Sequence, residues 1–139
     1  MYETRIPAKL AAWNEARREL EEELSRYGFT PAEAVSFLVA AEEAFANIAS
    51  YAYPERDGEC VIRLEDAGEN GVRLTFTDRG IPFDPTAYTP REPIRQARGE
   101  KPGGFGIAMM RERTDEIRYE QADGRNRLTL IRYHKEGEQ

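Results

Sequence analysis

The chain has 139 residues, 33% of them charged and 40% hydrophobic, which is typical of one globular domain. Its formal net charge of −6 argues against direct nucleic-acid binding, which depends on a basic surface. A single cysteine, Cys60, excludes an internal disulfide and a thiolate zinc cluster. No apolar stretch is long enough to span a membrane, and no apolar signal segment follows Met1. We therefore predict one domain over residues 1–139, no membrane contact and a cytoplasmic location.

Alternating residues at Tyr2–Ile6 predict a short strand, and helical spacing of apolar residues predicts a helix from Ala8 to Tyr27. Pro7 suits the first turn of this helix, and Gly28 suits its end. The core-facing stripe of the helix is expected to consist of Leu10, Trp13, Ala16, Leu20 and Leu24.

A second helix is predicted from Pro31 to about Tyr51. Thr30 and Glu33 have the spacing of a capping box, and Pro31 fits the first helical position. The stripe that should face the core consists of Ala34, Phe37, Leu38, Ala41, Phe45 and Ile48.

The second half of the chain predicts two hairpins that flank a loop and a helix. The segments are strands Glu59–Asp66 and Gly71–Asp78, the loop Arg79–Gly104, a helix Gly104–Ile117, strands Arg118–Gln121 and Arg127–Tyr133, and a polar tail at 135–139. Asn70-Gly71 is a strong turn signal for the first hairpin, and Asp123-Gly124 marks the turn of the second. Antiparallel hairpins separated by helices predict an α+β fold with the helices on one face of the sheet.

The first group that suggests chemistry is Glu43-x-x-x-Asn47 on the second helix. Residues four apart share one helix face, and these two should point away from the apolar stripe. A solvated polar face is the simpler explanation. Alternatively, the amide oxygen of Asn47 is a hard ligand suited to Mg²⁺, and the carboxylate of Glu43 can accept a proton from an attacking hydroxyl.

Two further groups involve glycine. Asp78 ends an apolar strand two residues before Gly80, so it could bind a purine amino group while glycine allows a flat ring to approach; a proline-rich turn explains the same residues. Gly103, Gly104 and Gly106 lead into the third helix, where free amides can bind an anion; a flexible hinge is the alternative. The pattern is neither a P-loop nor a Rossmann fingerprint.

The order and spacing of these groups resemble the GHKL, or Bergerat-fold, ATPases. The segments Asp78–Pro85, Gly103–Ile107 and Asn126–Leu130 are most similar to the anti-sigma-factor serine/threonine kinases of bacteria. The resemblance covers nearly the whole chain. It implies a two-layer sandwich in which three helices cover one face of a mixed, mostly antiparallel sheet.

The resemblance also implies ATP and Mg²⁺ as cofactors, with Glu43 as general base and Asn47 as Mg²⁺ ligand. Asp78 and Gly80 would bind adenine, with Thr129 nearby. The glycines implied to hold the phosphates are Gly103, Gly104 and Gly106, and residues 86–102 would form an ATP lid. One departure concerns Tyr51, which stands where members often carry histidine.

These implications lead to a kinase hypothesis. The chain would phosphorylate a serine or threonine of a small anti-anti-sigma (STAS-type) protein, and it could also sequester a sigma factor. The resemblance is compatible with a homodimer. The alternatives are a non-catalytic module whose nucleotide regulates partner binding, a detached histidine-kinase ATPase domain, and a structural domain without ligand.

Overall fold

A computed structural model describes residues 1–87 and 104–133 of the chain. They form a five-stranded sheet with three α-helices against one of its faces, which confirms the predicted α+β class. In chain order the elements are β1 (Tyr2–Pro7), α1 (Trp13–Arg26), α2 (Pro31–Tyr51), β2 (Glu59–Gly68), β3 (Gly71–Asp78), α3 (Gly104–Glu112), β4 (Glu116–Ala122) and β5 (Arg125–Tyr133). Short 3-10 turns lie at Leu10–Ala12 and Pro85–Ala87. No helix among the described residues is long and apolar enough to cross a membrane.

The strand order is β1-β2-β3-β5-β4, and every neighbouring pair is antiparallel. Within the described residues the sheet is therefore purely antiparallel rather than mixed. The reason is that β4 and β5 form a hairpin whose second strand pairs with β3. The end of β3 meets the start of β5, so Asp78 lies opposite Asn126.

The turns of the two hairpins differ in how well the sequence predicts them. The turn after β2 is centred on Glu69 and Asn70, with φ of 51° and 63°, one residue earlier than the predicted Asn70-Gly71. Both φ values are positive, as a tight hairpin turn between twisted strands requires. The second turn lies at Asp123 and Gly124, as predicted, with φ of 55° and 73°.

Helix α1 begins later than predicted. Pro7 still belongs to β1, and the chain makes a 3-10 turn before the α-helix starts at Trp13. Leu10 lies in that turn and is 55% exposed, so it does not join the core. The other four residues of the predicted stripe are buried, and Trp13 stacks on Phe45 of α2 with ring centroids 5.5 Å apart.

Helix α2 lies at the centre of the helical layer. Its start is a capping box, in which Glu33 N donates to Thr30 Oγ1 at 3.1 Å and Thr30 N donates to Glu33 Oε1 at 2.8 Å. Such a cap contributes about 1 kcal/mol. All six residues of the predicted stripe are buried, and Ala40 and Ala44 are buried as well. The helix is therefore covered on more than the sheet side, because α3 packs against it.

In β2, Ile62 and Leu64 are buried in the core, whereas Val61 points to the outer face of the sheet, away from the helices. Helix α3 ends at Glu112 rather than Ile117. The backbone N–H of Asp115 donates to Ile131 O at 2.8 Å, so pairing with β5 begins before Ile117 is reached.

Candidate functional site

Asp78 is the most tightly held polar side chain at the end of β3. It is 6% exposed, and its Oδ1 accepts hydrogen bonds from Gly80 N and from Asn126 Nδ2, both at 2.8 Å. Asn126 Nδ2 also donates to Gly80 O at 2.9 Å, and Tyr119 Oη donates to Asn126 Oδ1 at 3.2 Å. Both bonds to Asp78 converge on Oδ1, which fixes the orientation of the carboxylate, and Oδ2 makes no hydrogen bond with the described residues.

Asn126 and Tyr119 are functional candidates that the sequence analysis did not assign. Asn126 is 4% exposed and bridges the carboxylate of Asp78 to the turn that follows it. Burial raises the pKa of Tyr119, with further contributions from Asp78 and Asp84, so this phenol stays protonated and able to donate. Asn126 could be identified only from the pairing register of β3 and β5, which places it opposite Asp78 at the end of β3.

The segment Tyr51-Ala52-Tyr53 fixes the loop after Asp78. Tyr51 stacks on Phe83 with ring centroids 4.9 Å apart. Ala52 O accepts a hydrogen bond from Ile81 N at 2.7 Å. Tyr53 Oη accepts from Arg79 N and donates to Glu59 O, both at 2.8 Å. Tyr51 thus supports this loop through an aromatic stack.

Gly80 has a packing role that is separate from its predicted role of allowing a flat ring to approach. A Cβ atom at this position would lie 2.1 Å from Ala52 O and 2.5 Å from Ala52 C. These are backbone atoms at the end of α2, and they leave no room for a side chain. The absence of a Cβ lets the loop pack against α2, and that contact places Asp78 beside the helix.

A small pocket lies between α2, this loop and the strands β4 and β5. Asp78 and Asn47 both line it, so the structure brings two of the predicted site residues together. The other lining residues are mostly apolar: Ala44, Ile48, Ala52, Ile81, Phe83, Pro85, Tyr119 and Leu128. The volume of the pocket is about 20 Å³, far below the roughly 300–1,000 Å³ of small-molecule sites, so it could form only part of a binding site.

Asn47 is half-buried rather than part of a solvated face. Its Nδ2 is buried and has no hydrogen-bond partner among the described residues. A buried N–H donor without a partner is costly, so this group fits a ligand with an acceptor oxygen, such as a phosphate. No three His, Cys, Asp or Glu side chains of the described residues are placed to hold a metal ion. The amide oxygen of Asn47 is a hard ligand atom that would suit Mg²⁺, since this ion commonly takes its other ligands from phosphates and water.

Glu43 lies one turn before Asn47 and touches the start of α3. A Cβ atom at Gly106 would lie 2.5 Å from Glu43 Oε2, so the carboxylate occupies the space that a side chain would fill. Burial raises the pKa of Glu43, and the neighbouring carboxylate of Glu42 adds to the effect. A carboxylate whose affinity for protons is raised is a better general base than an exposed one.

The glycine-rich segment is described in part. Gly104 is the first residue of α3, and Gly106 makes the contact with Glu43. Arg111, further along α3, donates to Thr86 O at 3.1 Å and links the helix to the loop after β3. Gly103, residues 88–102 of the predicted lid, and the tail 135–139 lie outside the described residues.

The structure does not bring Thr129 to the pocket. In β5, Asn126 and Leu128 face α2, and Thr129 points to the opposite face because successive strand residues alternate. It lies opposite Thr75 in the register and lines the outer groove of the sheet. The assignment of Thr129 near adenine therefore does not fit this geometry, and the side chain of β5 that contacts Asp78 is Asn126.

The sequence model of the protein family described as the histidine kinase-like ATPase domain matches residues 6–132 of this chain. The chain belongs to this family. The match covers both helix α2 and the closing hairpin, and it confirms the GHKL resemblance that the motifs predicted.

Two known proteins are similar to the chain. The serine/threonine-protein kinase BtrW of Bordetella bronchiseptica is 30% identical over 92 residues, which are 66% of this chain and 65% of that protein. The chain thus aligns with less than two thirds of this relative. The crystal structure of the RsbU and RsbW domains of Rv1364c from Mycobacterium tuberculosis covers 96% of this chain and 32% of that one, with a TM-score of 0.64 and 22% identity. At this low identity, the similarity to the Mycobacterium tuberculosis structure is evidence for the fold alone.

Membership of the ATPase domain family implies ATP binding. The pocket at Asp78 and Asn47 and the start of α3 near Glu43 lie on one side of α2, because Glu43 and Asn47 are four residues apart on that helix.

Proposed function

We propose that the chain is a serine/threonine protein kinase of the anti-sigma-factor type. It binds Mg-ATP and transfers the γ-phosphoryl group to a hydroxyl of a small anti-anti-sigma (STAS-type) protein in the cytoplasm. The observation that supports this most is the half-buried Glu43 carboxylate against Gly106, one helical turn from Asn47. A protein that only binds nucleotide has no need of a carboxylate there. The name of the relative BtrW, a serine/threonine-protein kinase, supports the same class.

Each residue has a distinct task in this proposal. Asp78 Oδ2 accepts a hydrogen bond from the adenine amino group, because Oδ1 is already used by Gly80 and Asn126. The backbone amides at the start of α3, at Gly104 and Gly106, bind phosphate oxygens. Asn47 holds Mg²⁺, which neutralises charge on the phosphates when bound.

Glu43 then acts on the substrate. It orients the attacking hydroxyl and accepts its proton as the bond to the γ-phosphorus forms and the bond to the leaving phosphate oxygen breaks. Its raised pKa, caused mainly by burial, strengthens it as a base. Positioning of the hydroxyl and the phosphates supplies most of the rate enhancement in such transfers.

The test uses the purified full chain, a purified STAS-type protein and Mg-ATP. Wild type is expected to phosphorylate a serine or threonine that mass spectrometry identifies, and Glu43→Gln is expected to bind nucleotide in calorimetry without transfer. Equal transfer by both proteins would contradict the role of Glu43. Nucleotide binding with no transfer by wild type to any STAS-type protein would favour the non-catalytic binding module instead.

Sigma-factor binding and a homodimer belong to the same proposal. Light scattering of the chain with and without a sigma factor measures both, because each predicts a defined mass. A chain that stays monomeric and binds no sigma factor would limit the proposal to the kinase step.

A further inference from the structure

Two arginine side chains meet on the hydroxyl of Ser36, at the far end of the α2–α3 pair from Glu43. Arg113 Nη1 lies 3.3 Å from Ser36 Oγ, and Arg132 Nη1 lies 3.0 Å from it. Ser36 precedes Glu43 by seven residues, which is about 10 Å along the helix. The hydroxyl oxygen thus accepts hydrogen bonds from two cations, at a distance from the proposed nucleotide site.

Both guanidinium groups are held in place. Arg132 Nη1 also donates to Arg113 O at 3.1 Å, and this carbonyl follows the last turn of α3, where helix carbonyls lack intrahelical partners. All three side chains are half-buried. A ligand that bound here would therefore not have to order the arginines itself.

No carboxylate in the described part of the chain pairs with the positive charge of this cluster. Neither guanidinium forms a salt bridge with any of the described residues. Five arginines on the outer face of the sheet behave differently, since they are paired with glutamates: Arg5, Arg63, Arg73, Arg118 and Arg127. In a protein with a net charge of −6, two neighbouring cations without an anion indicate a place for one.

The remaining hydrogen-bonding capacity of the cluster consists of donors. Each guanidinium has five N–H groups and no acceptor, and within residues 1–87 and 104–133 most of these groups make no hydrogen bond. Ser36 Oγ accepts two bonds, and its own proton remains to donate. A ligand must therefore be an anion with several acceptor oxygens, and phosphate matches the planar donor fork of arginine.

We propose that Ser36, Arg113 and Arg132 form a second anion site, which binds a phosphate group independently of the nucleotide phosphates. The ligand is a phosphate ion or a phosphorylated side chain, which share the same recognition chemistry. The existence of this anion site does not depend on the proposed kinase reaction.

Titration of the full chain with inorganic phosphate, at constant ionic strength in sodium chloride, tests this site. Nuclear magnetic resonance should show saturable shifts at the side-chain N–H groups of Arg113 and Arg132 and at the amide of Ser36. Arg113→Gln should weaken binding about tenfold or more, as expected for loss of a charged hydrogen bond. The control Arg127→Gln, which removes an arginine already paired with Glu120, should leave the affinity unchanged.

Ser36→Ala serves as the second variant, since it removes the hydroxyl donor and keeps both charges. It should weaken phosphate binding severalfold, even if Arg113→Gln does not fold. A parallel titration with O-phosphoserine distinguishes the ligands: binding of both supports a phosphorylated side chain, and binding of phosphate alone supports the free ion. The proposal would be overturned by shifts equal to those in sodium chloride alone, by shifts only near Gly106, or by shifts that are unchanged in Ser36→Ala. The arginines would then serve only to cap the C-terminal end of α3.

Discussion

Gly106 and Glu43 share a space that accommodates a carboxylate or a methyl group, but not both. An added Cβ would lie 2.5 Å from Glu43 Oε2, which is the mobile end of a flexible side chain. We expect Gly106→Ala to displace the carboxylate at little cost in stability, since alanine is also favoured over glycine within a helix by about 0.5–1 kcal/mol.

The measurement for Gly106→Ala compares phosphotransfer with urea unfolding. Transfer should fall at least about tenfold, because a misplaced base loses its alignment, while the free energy of unfolding stays equal or rises. The double variant with Glu43→Ala serves as control, since the carboxylate is then absent and Gly106→Ala should change activity no further. Full transfer by Gly106→Ala would show that the position of this carboxylate is irrelevant.

The raised pKa of Glu43 also predicts a pH-dependent stability. Burial raises this pKa above its ordinary value of 4.5, so the folded protein binds the proton more tightly than the unfolded chain. The folded state therefore gains stability from Glu43 below about 4.5 and loses it as pH rises through the folded pKa. Glu43→Gln removes this titration.

Thermal unfolding of wild type and Glu43→Gln from acid to neutral pH checks the linkage. The melting temperature of wild type should fall relative to the variant as pH rises through that window. The exposed neighbour provides a control, because Glu42→Gln removes only a secondary cause of the shift and should retain most of the pH dependence. Parallel curves for wild type and Glu43→Gln would mean that Glu43 titrates as it does in the unfolded chain.

Among the structural elements, the loop after β3 depends most on its contact with the end of α2. Gly80→Ala would place a Cβ 2.1 Å from the backbone oxygen of Ala52, and neither the helix nor the strand can easily move. We expect a loss of about 1–3 kcal/mol in stability from this overpacking, together with weaker nucleotide binding because Asp78 shifts with the loop. Urea unfolding and calorimetry measure the two effects.

The matched control is Gly106→Ala. It is the same glycine-to-alanine substitution, but its added Cβ would meet the flexible side chain of Glu43 instead of backbone atoms. Its stability should change far less than that of Gly80→Ala. If both variants are equally stable, the contact between Gly80 and Ala52 does not constrain the loop.

The elements were largely predictable because local signals and packing agree in this sequence. The capping box at Thr30, the turn at Asp123-Gly124 and the stripe on α2 each specify their own structure without distant contacts. Leu10 was misassigned because helical spacing does not show that a 3-10 turn precedes the helix. The end of α3 was missed because Asp115 pairs with Ile131, a contact that depends on tertiary structure.

The site was predictable where residues share an element and less so where two elements meet. Glu43 and Asn47 share one helix face, so their proximity followed from spacing. The role of Asn126 depended on the register that sets it opposite Asp78, and Thr129 was misplaced because that register decides which residues of β5 face the helices. The contact that explains Gly80 lies on another element, at Ala52.

In the whole molecule, nucleotide binding and folding should be linked, because the proposed site draws on α2, α3 and the ends of β3 and β5. A ligand that binds only the folded chain stabilises it by about 2.7 kcal/mol at a concentration one hundred times its Kd. For a protein of this size we expect the melting temperature to rise by several degrees with Mg-ATP. Asn47→Ala should lose most of this rise when Mg²⁺ is present, because the proposed metal ligand is removed.

The same melting-temperature measurement distinguishes the proposed adenine end of the site, at Asp78, from the proposed magnesium end, at Asn47. Asp78→Asn should lose the rise with and without Mg²⁺, since it removes the charged acceptor for the adenine amino group, whereas Asn47→Ala should resemble wild type when ATP is added without the metal. Arg127→Gln, on the outer sheet face, should behave as wild type in both conditions. A rise of equal size in all four proteins would place nucleotide binding elsewhere, because neither the amide nor the carboxylate of this pocket would contribute to it.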